Sequence, residues 1–112
     1  MKLKEKYISK RIRILHQEIE DDRGKIDLLN GMTEAYLNLK KDSIAEEYAF
    51  NAFNLSKKIG LRSGIKNSTQ NLSKIFKIKK DFEKSLWYHE LYQTTYESLS
   101  AISNEKALNM LK

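Results

Sequence analysis

Few side chains in this sequence are of a kind that could do chemistry, and their spacing argues against most of it. The two histidines, His16 and His89, stand far apart, and neither shares a helical turn with a second ligand in a His-x-x-x-His arrangement. There is no cysteine, which removes disulfides, thiolate metal sites and thiol nucleophiles together. Glu18, Glu20, Asp21 and Asp22 are the densest acidic group. Carboxylates there are read as ending one helix and covering the positive N-terminus of the next, with a metal site as the lesser alternative. No glycine-rich phosphate loop and no Gly-x-Ser-x-Gly elbow occurs, and nothing assembles a nucleophile, a base and an oxyanion site. No enzyme, no cofactor and no metal is expected.

Charge is organised by segment. Residues 1–13 carry six basic residues and one acidic, and residues 14–47 carry four and nine. Residues 48–80 hold eight basic residues and no acidic one, residues 81–112 three against five, and the chain nets +6. Alternation of this kind points to faces of different sign rather than to a uniformly basic nucleic-acid protein. Nucleic-acid binding through Lys57, Lys58, Arg62, Lys66, Lys74, Lys77, Lys79 and Lys80 stays as an alternative, which would need several of them on one face. The charged N-terminus lacks the apolar core of a secretion signal, and no stretch is long and apolar enough for a bilayer, so a cytoplasmic protein without membrane contact is expected.

The elements that would position these residues are all helical. The 112 residues contain no proline and four glycines, which favours helix throughout. Shifting the chain by 40 residues places Leu15 on Leu55, Ile19 on Ile59 and Gly24 on Gly64. The same shift places Met32 on Leu72, Tyr36 on Phe76 and Tyr48 on Tyr88, and at an offset of 39 Lys40-Lys41-Asp42 recurs as Lys79-Lys80-Asp81, the turn having shifted by one residue. Periodicity and punctuation then predict five helices. Helix one covers about Lys4–Glu20, ended by Asp21-Asp22-Arg23-Gly24, and helix two about Lys25–Leu39. A third is capped by Asp42 or Ser43 and stopped by Gly60. The fourth runs from Ser63 to Lys79, and the fifth starts behind Asp81 and continues well past Tyr96.

Leu29, Met32-Thr33 and Tyr36, followed by Ala45, Ala49 and Ala52, resemble the signature of the tetratricopeptide repeat. Thr69, Leu72-Ser73 and Phe76, followed by Ser85, His89 and Tyr92, resemble it again. The tryptophan and glycine slots are filled otherwise, and the period of 40 is similar to that of divergent repeats in bacterial sensor and regulator proteins. The resemblance implies antiparallel hairpins stacked into a short α-solenoid. Its parts would be a leading half-repeat at 1–22, repeats at 25–60 and 63–98, and a helical extension at 99–112. Ala45 and Ser85 would sit where the helices of each hairpin cross.

In that family the first helix of each pair lines a concave groove that binds a peptide or partner domain. The resemblance therefore implies groove positions at Asn30, Glu34 and Asn38, then at Asn67, Gln70, Asn71, Lys74 and Lys77. Asparagine and glutamine can serve both edges of an extended peptide backbone, although the same residues suit an ordinary solvated helix face. Tyr88 and Tyr92 are expected against the fourth helix, His89 against Tyr92, and Trp87 on the outer face. Apolar stripes at both ends, Leu3, Tyr7, Ile8, Ile12 and Leu15 in one and Leu99, Ile102, Leu108, Met110 and Leu111 in the other, lead to an expected homodimer through a terminal helix.

Overall fold

A computed structural model describes the backbone of residues 2–110 and the side chains of residues 8–110. Of the terminal stripes, the side chains of Leu3 and Tyr7 and the whole of Leu111 lie outside what is described. The described residues form four helices, α1 (Lys2–Asn38), α2 (Asp42–Ile59), α3 (Arg62–Ile78) and α4 (Phe82–Met110), and no strand. Five helices were expected, and the correction falls on Asp21-Asp22-Arg23-Gly24, which α1 passes through without a break. Gly24 keeps ordinary helical backbone, whereas Gly60 is the one glycine with positive φ. A single interior glycine costs about 1 kcal/mol. Breaking the helix would instead leave up to eight backbone groups in search of partners, so continuation wins.

The three turns share one geometry. Lys40, Gly60 and Lys80 stand at φ 59°, 69° and 63°, each left-handed and each 20 residues after the last. Across each turn the next N–H reaches back to a carbonyl of the closing helix, Lys41 to Tyr36 at 2.9 Å, Leu61 to Ser56 at 2.9 Å and Asp81 to Phe76 at 2.9 Å. This is the Schellman closure, which satisfies carbonyls that the helix end leaves orphaned. Asp81 caps α4 as expected, its Oδ1 accepting the Lys84 N–H at 3.2 Å. Neither Asp42 nor Ser43 caps α2: Lys41 and Leu61 occupy the N-cap positions of α2 and α3, without a side-chain bond.

Short turns make α1 and α3 run one way and α2 and α4 the other. Packing joins α1 to α2, α2 to α3 and α3 to α4, and α1 also touches α3, while α1 and α4 do not pack together among the described residues. The result is an open file of helices measuring 61 × 38 × 21 Å. Its radius of gyration is 17.9 Å, against about 13 Å for a compact chain of this length.

The core is built from Ala45, Ala49, Phe53, Leu72, Ile75 and Phe76. Small residues lie between the helices: Ala45 is fully buried, and Ser85 Oγ donates to the Ser73 carbonyl at 2.8 Å while Ser73 Oγ donates to that of Ser85 at 3.0 Å. The 40-residue offset recurs in ring geometry. Tyr36 stacks on Tyr48 at 5.4 Å and 6°, and the equivalent Phe76 stacks on Tyr88 at 5.6 Å and 6°. Gly24 and Gly64 share a letter but not a role. Nothing lies within 4 Å of a Cβ built on Gly24, whereas one on Gly64 would collide with Ser56 Oγ and come within 3.0 Å of Ile26 Cγ2.

Candidate functional site

The face where α1 meets α3 brings four of the eight groove residues together. Glu34 and Asn38 of α1 and Asn71 and Lys74 of α3 line one cleft of about 330 Å³, with Leu37 and Ile78 supplying its apolar wall. A neighbouring cleft of about 260 Å³ between α3 and α4 is lined by Gln70, Ser73, Lys74, Lys77, His89 and Tyr92. Lys74 borders both clefts, so six of the predicted positions lie along one continuous track. Each cleft is at the small end of the range for small-molecule sites, which suits side chains of an extended segment better than a cofactor.

The other two positions fall elsewhere. Asn67 is half-buried and lines neither cleft. Asn30, expected on a solvated face, is 6% exposed, and neither polar atom of its amide has a hydrogen-bond partner. Asn71 also departs from the solvated face predicted for it: it is 3% exposed, and its Nδ2 has no partner although it borders the cleft. A polar residue type on an amphipathic helix reads as exposed, and here a neighbouring element decides otherwise. Asn71 lies where α3 meets α1.

The remaining buried polar side chains are all satisfied, which sets these two apart. Thr33, Ser56, Ser68 and Thr69 donate to carbonyls one turn back in their own helices at 2.6–2.8 Å, and Ser85 bonds across to α3. A hydroxyl can reach its own helix in this way; an asparagine amide facing a neighbouring helix needs an external acceptor. No ion pair within 4 Å links Glu34 to Lys74 among the described residues, so carboxylate and ammonium both remain available along the cleft.

Aromatic side chains close the far side. Tyr88 packs edge-on to Phe50 and Phe53 at 6.2 and 5.9 Å. Burial, with a smaller contribution from the Glu46 carboxylate, raises the Tyr88 hydroxyl above its ordinary pKa. His89 lies 6.1 Å from the Tyr92 ring, and Trp87 is 56% exposed on the outer side. Sequence reasoning missed a third cleft, of about 290 Å³, where Phe53, Ile65 and Leu91 meet Lys57, Arg62 and Ser98. Its lining comes from one face of each of three helices, and the sequence does not say which faces meet.

Six of the eight basic residues of 57–80 are distributed over several clefts and one ion pair. Lys57 and Arg62 border that third cleft, Lys58 faces Lys25 in another, Lys74 and Lys77 line the groove, and Lys79 is paired with Glu46. Among the described residues no group of three or more acidic or histidine side chains converges, and no helix is long and apolar enough to cross a membrane. Comparisons with known protein families, curated proteins and solved structures yield no match to the chain.

Proposed function

We propose that the chain is a non-enzymatic interaction scaffold of the tetratricopeptide kind, holding an extended peptide segment along the α1–α3–α4 track. In this reading the second half of α1 pairs with α2, and α3 pairs with α4, as two successive hairpins. The open file of helices, the equivalent Tyr36–Tyr48 and Phe76–Tyr88 stacks and the small residues at the crossings support it. The observation that carries the function is Asn71: a buried donor without a partner, at the edge of a cleft, beside an unpaired lysine. A buried amide left unsatisfied costs about 1–3 kcal/mol. Turning the Asn71 amide about χ2 brings that donor to the cleft, where a carbonyl or carboxylate oxygen of a bound segment removes the cost, and Lys74 favours an acidic side chain next to it. On the resemblance alone, the proposal extends to a segment of a larger bacterial regulatory protein working in the cytoplasm.

The test is selection of short random peptides displayed on phage against the full chain, followed by affinity measurement of the enriched peptides. Enrichment of acidic sequences is expected, with binding weakened about tenfold or more by Lys74→Glu, a loss of about 1.4 kcal/mol. Enriched peptides that bind wild type and Lys74→Glu equally would sink the proposal.

A further inference from the structure

The first half of α1 extends beyond the helices that cover its second half. Ile8, Ile12, Leu15 and Ile19 are 54, 60, 51 and 47% exposed. Their spacing of four, three and four is the seam of a two-stranded coiled coil. Each has a counterpart 18 residues later, which is five whole turns of helix: Ile8 with Ile26, Ile12 with Asn30, Leu15 with Thr33, and Ile19 with Leu37. Ile26, Asn30 and Thr33 are buried, and Leu37 packs against the core. The uncovered stripe therefore continues the face of α1 that is turned towards the body. α2, antiparallel to α1, covers that face until its chain turns away at Gly60.

We infer that a second copy of this chain covers the stripe, its α1 lying antiparallel so that it takes up the track that α2 leaves. The inference stands apart from the groove, because none of the groove residues lies on this half of α1. Antiparallel pairing sets Ile8 against the partner's Ile19 and Ile12 against the partner's Leu15, and symmetry repeats both layers. Charge chooses this direction. Lys10, Arg11 and Arg13 precede the centre of the stripe, and Glu18, Glu20, Asp21 and Asp22 follow it. An antiparallel partner lays its acidic half along the basic half, whereas parallel chains would put like charges side by side. At the positions flanking the seam, Arg11 meets the partner's Glu18, twice by symmetry. Parallel chains would instead bring Arg11 beside the partner's His16. The tail of α4 is a poorer candidate, because Leu99 and Ile102 are followed at the next seam positions by Lys106 and Asn109.

Sedimentation equilibrium of the full chain from about 10 μM to about 1 mM tests this, the range being set for a small interface of micromolar affinity or weaker. A monomer–dimer equilibrium that weakens with salt is expected. Arg11→Glu and Glu18→Arg should each raise the dissociation constant about tenfold, and the double exchange should return it to within about threefold of wild type, since every flanking pair is again opposite in sign. The double variant keeps composition and net charge, and circular dichroism at low concentration checks the fold of all three. A monomer throughout, single exchanges without effect, or a double variant no better than the singles would overturn the inference. The last outcome would also cover a partner helix bound in another direction.

Discussion

At the scale of single residues, the contrast between hydroxyls and amides organises the interior. Every buried serine and threonine finds a carbonyl, and the two buried asparagines do not. Leucine has nearly the shape of asparagine and needs no partner, so Asn30→Leu and Asn71→Leu should each raise the unfolding free energy by about 1 kcal/mol. Urea denaturation reads this, and a loss of stability would reveal bonds that the amides make and the present account lacks. Only Asn71→Leu should also weaken peptide binding, because Asn30 lines no cleft. Tyr88 adds a pH dependence. Its hydroxyl pKa is raised in the folded state by burial and by Glu46, so the folded form keeps its proton where the unfolded chain has lost it. Stability from this group is complete below about pH 10, the ordinary tyrosine value, and is lost as the pH rises beyond it. Tyr88→Phe should lessen that alkaline loss in unfolding titrations. The type of each of these residues was legible in the sequence; its burial was not, since burial is decided by the neighbouring helix.

At the scale of elements, punctuation was readable wherever the turn closes through backbone bonds. Gly60 and the two Lys-Lys-Asp turns stop three helices within one or two residues of expectation. Asp21-Asp22-Arg23-Gly24 misled because the same residue types occur at helix ends and on exposed helix faces. Only φ separates the two cases, and Gly24 does not take the left-handed value. Gly24→Ala is the direct check. It should raise thermal stability or helicity by about 0.5–1 kcal/mol, since alanine suits a continuous helix and has room there. A turn at Gly24 would give the opposite sign. Gly64→Ala should destabilise by about 1–3 kcal/mol, because its methyl group would press on Ser56 and Ile26 at the junction of three helices. Two glycines that align at the 40-residue offset thus carry opposite predictions.

At the scale of the whole molecule, alternating helix direction sends both overhangs out of the same end. The first half of α1 and the tail of α4 each extend past the α2–α3 turn, since Arg62 of α3 already faces Ser98 of α4. The groove lies along the body behind them, so one molecule can present a binding track and a pairing helix without competition between the two. Peptide binding along the proposed α1–α3–α4 track can be read directly from one titration. A selected acidic peptide is titrated into the isotopically labelled full chain, and both backbone and side-chain amide signals are followed by nuclear magnetic resonance. The Asn71 side-chain amide should shift furthest, accompanied by the backbone signals of Glu34, Asn38 and Lys74, while Trp87 and residues 8–22 stay in place. Shifts confined to Trp87, or to the cleft of Phe53, Ile65 and Leu91, with Asn71 unmoved, would contradict it.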